Sequence, residues 1–239
     1  MTHRPFVKVC GLTRVEDALL AARLGVDFLG LVFYPRSPRA VEPEQALALV
    51  QAVRAVFGPA VWGGPRWVGV FVNAAVDEVR AVMARVGLDL AQLHGEEPPE
   101  AVAALEGRAF KALRPQGTDD PVLALAPQYA AAGPRDPNAP QLLVDAFSPA
   151  AYGGTGQPAS WDAAASLAAR YRVLLAGGLR PENLPQALEQ VRPWGVDLSS
   201  GLERGPGRKD ADRLQALARV LKLRPRAARS APPSAEVTA

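Results

Sequence analysis

The chain alternates eight times between a short apolar stretch and an Ala/Leu/Arg-rich stretch, and this alternation restricts its fold more than any other feature. The predicted strands are Phe6–Cys10, Asp27–Phe33, Arg66–Val72, Asp89–Leu93, Ala109–Leu113, Gln141–Asp145, Arg172–Ala176 and Gly195–Leu198. The predicted helices that follow them are Arg14–Leu24, Pro43–Val56, Val76–Val86, Pro98–Leu105, Pro121–Ala132, Trp161–Arg170, Pro181–Gln190 and Asp210–Leu221. Strand–helix units of about 30 residues predict an α/β fold, the (β/α)8 TIM barrel. An open doubly wound sheet is the alternative, but eight regular units favour closure.

The end of the chain differs from this pattern. Residues 223–239 are rich in Pro, Ala and Ser and have no apolar period, which predicts a disordered tail behind a single barrel domain at residues 1–222. The basic excess of the whole chain, a formal net charge of +3, lies from Lys222 onward. A basic tail can touch nucleic acid weakly, but a solvated extension without a partner is the favoured interpretation.

The composition places the protein in a reducing compartment. A single cysteine excludes an intrachain disulfide framework and suits the cytoplasm. The first residues contain no apolar region of a secretion signal, and no run approaches the ~18 consecutive apolar residues of a membrane span. We therefore expect a cytoplasmic protein with neither a membrane nor a nucleic acid as its partner.

The lone cysteine occupies a position where chemistry is usually found. Cys10 ends the first predicted strand, beside Lys8, and Gly11 follows it. In barrels the carboxyl ends of the strands converge on one face and carry the functional residues. A buried cysteine that acts only as a small hydrophobic residue is the alternative. Asp145 stands at the corresponding end of the sixth strand.

Two glycine- and serine-bearing turns follow the last two strands and predict a phosphate site. The residues are Gly177, Gly178, Ser199, Ser200 and Gly201. Backbone N–H groups approach an anion closely where no side chain intervenes, and the loops after strands seven and eight are a frequent phosphate site in this architecture. A single Gly-Gly pair, by contrast, also simply ends strands. A third glycine-rich stretch, Tyr152–Gly156, is a candidate lid, a further phosphate contact or a flexible loop.

Several motifs together resemble the phosphoribosylanthranilate isomerases of tryptophan biosynthesis. The resemblance rests on Val7–Thr13, Phe33–Arg39, Phe71–Asn73, Gln92–Glu97, Leu143–Asp145, Tyr152–Gly156, Ala176–Asn183, Val196–Glu203 and Pro206–Asp210, in that order and spacing. It extends from Lys8 to about Leu221. Other phosphate-binding barrels share the glycines but not the Cys-Gly-Leu-Thr opening.

The resemblance implies an Amadori rearrangement of N-(5-phosphoribosyl)anthranilate to 1-(2-carboxyphenylamino)-1-deoxyribulose 5-phosphate, an intramolecular oxidoreduction of aldose to ketose. It implies Asp145 as the general acid that opens the ribose ring and Cys10 as the general base that takes the C2 proton. No cofactor and no metal are implied, because the imine itself accepts the electrons. The expected partner is this small phosphosugar–anthranilate substrate, and the protein is expected to be a homodimer or a monomer.

Further substrate contacts follow from the same resemblance. Arg39 is similar to the family arginine that meets the anthranilate carboxylate, although Arg36 is a neighbouring alternative. His94 is expected to line the pocket, or else to be a structural histidine. Gly154 and Gly156 are expected to contact substrate. For Asp197 we expect a role in holding the loop that follows it rather than a catalytic one.

Two other functions remain open at this point. A sister phosphosugar barrel, such as a ribulose-phosphate epimerase or an indole-glycerol-phosphate synthase, needs a different set of acid and base residues, and the synthase needs a catalytic lysine at the end of the first strand. A non-catalytic barrel retained for binding is the second alternative. Such a barrel is expected to have lost Cys10 or Asp145, and both are present.

Overall fold

The protein forms a closed barrel of eight parallel strands in a computed structural model that describes residues 4–146 and 161–228. The strands follow each other around the barrel in chain order, and β8 pairs with β1 to close it. They are β1 (Phe6–Val9), β2 (Phe28–Val32), β3 (Arg66–Phe71), β4 (Leu90–Leu93), β5 (Ala109–Leu113), β6 (Leu142–Asp145), β7 (Val173–Ala176) and β8 (Gly195–Leu198). The predicted (β/α)8 barrel is confirmed.

The helices lie outside the barrel. They are α1 (Val15–Arg23), α2 (Pro43–Phe57), α3 (Val76–Val86), α4 (Pro99–Ala103), α5 (Ala126–Ala132), α6 (Trp161–Ala168), α7 (Leu184–Val191) and α8 (Ala211–Val220). Because helices cover the outside and side chains fill the inside, strands such as β2 are buried at every residue. The side chain of Asp210 caps α8 by accepting hydrogen bonds from the N–H groups of Asp212 and Arg213.

An apolar cluster fills the lower part of the barrel interior. It contains Phe28, Val68, Leu90, Phe110, Ala112, Ala139, Leu143, Leu174 and Ala176. At the amino-terminal end of the barrel the rings of Phe6 and Trp194 stack on each other, with 4.1 Å between their centroids, and both pack against this cluster. Since this end is filled with hydrocarbon, polar side chains are left to the carboxyl mouth.

One segment, Pro43–Trp62, is long and apolar enough to cross a membrane by length and composition alone. Its helical part is α2, whose residues Ala46, Leu49, Val50, Val53 and Phe57 are buried in the core around the barrel. The segment is accounted for as a core helix.

Helix α5 begins at Ala126 rather than at Pro121, because Pro121–Leu125 form a 3-10 helix, and two further local features differ from the sequence prediction. A small antiparallel hairpin, β9 (Glu203–Gly205) and β10 (Arg208–Lys209), lies between β8 and α8, where the sequence predicts no strand. Helix α7 begins at Leu184 rather than at Pro181, because the side chain of Asn183 bonds to the N–H of Arg180 and the carbonyl of Gly178 and so forms a turn. Both depend on short-range side-chain contacts that a periodicity analysis does not detect.

The first residues of the predicted tail contact the barrel. Leu223 is buried, and the guanidinium of Arg226 donates to the carbonyl oxygens of Ala22, Val26 and Gly63. Residues 229–239, which are the rest of the predicted disordered tail, lie outside the described residues.

Candidate active site

A cavity of about 390 Å³ opens at the carboxyl mouth of the barrel and gathers most of the predicted site residues. Its lining residues come from the ends of seven strands and the loops behind them. They are Cys10, Val32, Ser37, Arg39, Val70, Gln92, His94, Asp145, Ala176, Gly177, Gly178, Leu179, Asp197, Ser199 and Ser200. The predicted convergence of strand ends is therefore present in the structure.

The thiol of Cys10 lies near a buried ion pair. Lys8, two residues earlier on β1, is fully buried, and its Nζ donates to Oδ2 of Asp197 on β8 over 2.8 Å. The register of the two strands pairs Lys8 directly with Asp197. The expectation that Asp197 holds the loop after it is wrong, because its carboxylate binds Lys8 and faces the cavity.

The charges around Cys10 act on its proton in opposite directions. Burial raises the pKa of the Cys10 thiol above its ordinary value, Lys8 opposes this, and Asp197 adds to it. Burial would lower the pKa of Lys8, but Asp197 and Cys10 outweigh it, so the pKa of Lys8 is raised and the ammonium stays charged. At neutral pH, Cys10 therefore rests mainly as a thiol, with a cation beside it that favours the thiolate once it forms.

The carboxyl group of Asp145 lies on another wall of the same cavity, at the end of β6. His94 is its neighbour, with 3.6 Å between His94 Nε2 and Asp145 Oδ2. The other ring nitrogen of His94, Nδ1, is 2.8 Å from Nε2 of the buried Gln92. Gln92 fixes the imidazole, and His94 is among the residues that line the cavity. Of the two expectations for His94, the structure therefore favours a residue that lines the pocket.

Arg39 reaches the cavity from the loop after β2 and is held by Glu203. Its Nε is 2.9 Å from Oε1 of Glu203, and one of its terminal nitrogens, Nη2, is 2.6 Å from Oε2. Glu203 is almost fully buried and also accepts from Nζ of Lys209 over 2.8 Å. Desolvation works against the charge of Glu203, but hydrogen bonds from Arg39 and Lys209 prevail and lower its pKa. The bidentate pair fixes one edge of the guanidinium and leaves its other edge for a ligand. Arg36, the alternative to Arg39, is exposed and does not line the cavity.

The predicted phosphate residues surround one part of the cavity. Gly177 and Gly178 have φ of 98° and 64°, a backbone that residues with side chains rarely adopt. Within residues 4–146 and 161–228, no loop hydrogen bond uses the backbone N–H of Gly177, Gly178, Ser199 or Ser200 as its donor. Consecutive free N–H groups of this kind are suited to an anion.

Gly201 is placed differently from the other four. It does not line the cavity, and a Cβ on it would lie 2.0 Å from the carbonyl oxygen of Leu179. Its role is the close packing of the turn after β8 on the turn after β7. Gly154 and Gly156, the remaining predicted substrate contacts, lie outside the described residues.

Sequence reasoning missed four functional side chains: Lys8 as the partner of Asp197, Gln92 behind His94, and the pair Glu203 and Lys209 behind Arg39. One signal was available. Lys8, Gln92 and Lys111 are polar residues inside apolar strands, and such residues are buried only when they have a partner.

The comparisons with known proteins agree with one another. A family model described as N-(5′-phosphoribosyl)anthranilate (PRA) isomerase matches residues 7–220. The N-(5′-phosphoribosyl)anthranilate isomerase of Geobacter metallireducens is 44% identical over 218 residues, which cover 90% of this chain and 98% of the relative.

Solved structures of the same kind match most of this chain. A structure of monomers generated from the dimeric phosphoribosylanthranilate isomerase of Thermotoga maritima has a TM-score of 0.73 and 32% identity, covering 91% of this chain and 98% of that one. A phosphoribosylanthranilate isomerase in complex with reduced 1-(o-carboxyphenylamino)-1-deoxyribulose 5-phosphate has a TM-score of 0.74 and 34% identity with the same coverage.

Proposed function

The chain belongs to the N-(5′-phosphoribosyl)anthranilate isomerase family, and from that premise we propose that it converts N-(5-phosphoribosyl)anthranilate to 1-(2-carboxyphenylamino)-1-deoxyribulose 5-phosphate in tryptophan biosynthesis. The observation that supports this best is the arrangement at the mouth of the barrel. A thiol directly after β1 and a carboxyl group at the end of β6 line one cavity, together with an arginine and a glycine- and serine-rich cradle.

Ring opening is the first step. Asp145 donates its proton to the ribose ring oxygen while the nitrogen lone pair forms the C1=N bond, so that the ring opens to an iminium ion. General acid catalysis by a placed carboxyl group contributes roughly 10²–10⁴-fold to such a step. His94, fixed by Gln92, limits the positions that the Asp145 carboxyl group can adopt.

Proton transfer from C2 is the second step. The Cys10 thiolate takes the proton from C2, and the electron pair moves into the C1=C2 bond, which gives a neutral enolamine. The ammonium of Lys8 stabilises the thiolate that does this work. The enolamine then becomes the ketone, so the aldose has been converted to a ketose with no external oxidant or reductant.

The two anionic ends of the substrate fit two parts of the cavity. Arg39 pairs with the anthranilate carboxylate through the edge of its guanidinium that Glu203 leaves open. The 5-phosphate lies against the turns at Gly177–Gly178 and Ser199–Ser200, where backbone N–H groups bind it. Gly201 stabilises this cradle, because it packs the turn after β8 closely against Leu179.

The function is tested by incubating the purified chain with freshly made N-(5-phosphoribosyl)anthranilate and following the ketose carbonyl by ¹³C NMR with label at C2. We expect rapid formation of the ketose by the parent chain and formation slower by roughly 10²-fold or more by Cys10→Ser. Failure of the parent to form ketose from fresh substrate contradicts the proposal, and ketose formed equally by Cys10→Ser contradicts the site.

Replacement of Arg39 by lysine tests the carboxylate contact. Lysine keeps the charge for Glu203 but cannot make the bidentate bond, and the loss of a charged hydrogen bond costs about 1.5–3 kcal/mol. We therefore expect KM to rise by roughly one to two orders of magnitude, with a smaller change in kcat. The measurement is steady-state kinetics on the normal substrate and on the analogue with aniline in place of anthranilate.

The matched control is Arg36→Lys, which changes an exposed arginine of the same loop and is expected to leave KM unchanged. The aniline analogue, which has no carboxylate, is expected to respond to neither variant. An equal rise in KM for both substrates in Arg39→Lys shows that Arg39 only maintains the loop.

Replacement of Gly178 by valine tests the phosphate cradle. The branched side chain occupies the position of the anion, so we expect a rise in KM of more than about tenfold for the phosphorylated substrate, the size expected when one charged hydrogen bond is lost. The same compound without its 5-phosphate is expected to bind parent and variant equally weakly. Both KM values are measured for each protein.

Gly107→Val is the control for backbone strain. Gly107 has φ of 76°, similar to Gly178, and it does not line the cavity. A Cβ on Gly107 would have no atom within 4 Å. Both substitutions place a branched side chain on a backbone with positive φ. A rise in KM that occurs only in Gly178→Val is therefore caused by loss of phosphate binding. Equal KM values for the two variants contradict a phosphate site at Gly178.

The partners and location follow from the same proposal. The substrate is a small phosphorylated molecule, and the single thiol must remain reduced, so we propose action in the cytoplasm. A homodimer or a monomer stays the prediction for the oligomeric state, and sedimentation at several protein concentrations distinguishes the two.

A further inference from the structure

Asp197 carries an unused acceptor atom at the catalytic cavity. The residue is 8% exposed, and its Oδ2 is bound to Lys8. Its Oδ1 is buried and has no hydrogen-bond partner among the described residues. A buried carboxylate oxygen without a donor is costly, and such atoms are normally satisfied by a ligand, a water molecule or a neighbouring residue. Since Asp197 lines the cavity, a bound substrate is the group that can supply the donor.

The position of Asp197 relative to Cys10 identifies that donor. Asp197 is paired in register with Lys8, and Cys10 lies two residues beyond Lys8 on the same face of β1. Neighbouring strands lie about 4.8 Å apart, so the carboxylate and the thiol face the substrate side by side. In the proposed reaction Cys10 acts on the hydrogen of C2. The hydroxyl on that same carbon therefore comes within reach of Asp197.

On the basis of the proposed function, we propose that Asp197 is a further catalytic residue, the base that takes the proton of the C2 hydroxyl when the enolamine becomes the ketone. The O–H bond breaks and its electron pair forms C2=O. The C1=C2 pair takes a proton from water, and the Cys10 thiol gives the proton that it took from C2 to water, which restores the thiolate. Asp197 ends the step protonated and Asp145 ionised, and exchange with water returns both groups to their starting forms.

Two neighbours explain why Asp197 rather than another group has this role. The ammonium of Lys8 holds the carboxylate in place at the cavity through the ion pair between Lys8 Nζ and Asp197 Oδ2. Gln92 has the other unpartnered buried acceptor in the described part of this cavity, its Oε1 atom. An amide oxygen can bind a hydroxyl group but cannot hold its proton at neutral pH.

The test uses Asp197→Asn and substrate with deuterium on C2 of the ribose. Two rates are measured in single turnovers: release of deuterium into water by NMR, and formation of the ketose carbonyl by chemical quench. In the parent chain we expect the two to coincide. In Asp197→Asn we expect ketose formation to slow by roughly 10²-fold or more, as for loss of a general base. Release of deuterium changes far less, so it runs ahead of ketose formation.

A merely structural or electrostatic role gives a different result. If Asp197 only orients Lys8 or tunes Cys10, both rates fall or rise together in Asp197→Asn, and that result overturns the proposal. Activity of the parent and loss of deuterium release in Cys10→Ser establish the proposed function independently. A failure of the Asp197 proposal is thereby distinguished from a failure of the reaction assignment.

A second variant covers the case in which Asp197→Asn does not fold. That substitution leaves the ammonium of Lys8 buried without its counter-ion, which is strongly destabilising. The double variant Lys8→Met/Asp197→Asn removes both charges. We expect both of its rates to be lower, because Cys10 loses Lys8, yet deuterium release still precedes ketose formation. Coincident rates in a folded double variant overturn the assignment of Asp197.

Discussion

Replacement of Cys10 by serine is expected to lower kcat by roughly 10²–10⁴-fold, the contribution of a well-placed general base. The two side chains are nearly the same size, so the barrel and the cavity should persist. A serine hydroxyl, however, is far less acidic than a thiol and gives almost no oxyanion near neutral pH. The measurements are kcat on fresh substrate and Kd for a reduced product analogue. We expect the analogue to bind the variant about as well as the parent.

The pH dependence adds an independent check on the same residue. Because burial raises the pKa of Cys10, the reactive thiolate is a minority species at neutral pH and increases as the pH rises. The rate at which iodoacetamide alkylates Cys10, the single cysteine of the chain, should therefore increase with pH from neutral into the alkaline range. Cys10→Ser should lack this rise. Near-parental kcat in Cys10→Ser, or a parental profile that falls above neutral pH, is incompatible with a thiol base.

Replacement of Asp145 by asparagine is expected to lower kcat by a similar factor, roughly 10²–10⁴-fold, through loss of the proton that opens the ring. Asparagine keeps the shape of the side chain and its place at the end of β6. Binding of a product analogue, which is already open, should therefore be retained. Kinetics on the cyclic substrate and calorimetry with the analogue measure the two effects separately.

His94→Gln is the matched control for Asp145. It changes the neighbour 3.6 Å from the carboxyl group without removing the acid, so only a small decrease in kcat is expected. If turnover and analogue binding fall by the same factor in Asp145→Asn, Asp145 positions the substrate and does not donate the proton.

The barrel and its main site residues follow from local sequence because their signals are local. Each strand is a short apolar run, and Cys10 and Asp145 each stand directly at the end of one. Convergence of these ends needs only the knowledge that parallel strands in a barrel share a direction. The fold and the positions of Cys10 and Asp145 at one mouth of the barrel could therefore be predicted from the sequence pattern, whereas their roles as base and acid are what the family resemblance implies.

The partners of these residues could not be predicted, because their contacts join distant parts of the chain. Lys8 and Asp197 are 189 positions apart, and Arg39 and Glu203 are 164 apart. No periodicity within one strand or helix connects such pairs. The role expected for Asp197 was wrong for this reason: sequence proximity to Ser199 and Ser200 suggested a loop contact, whereas strand register places it opposite Lys8.

The ion pair between Lys8 and Asp197 also has a consequence for how the chain acquires its fold. The first strand leaves the ribosome long before the eighth, and until β8 docks against it Lys8 has no counter-ion. An ammonium enclosed without a counter-charge is disfavoured. A seven-stranded intermediate should therefore keep the seam, which is the edge of β1 that pairs with β8, open and hydrated rather than bury Lys8 there. Contacts of such long separation are slow to form. Closure of the seam is then a late event in folding that completes the barrel and assembles the base together with its charged neighbours.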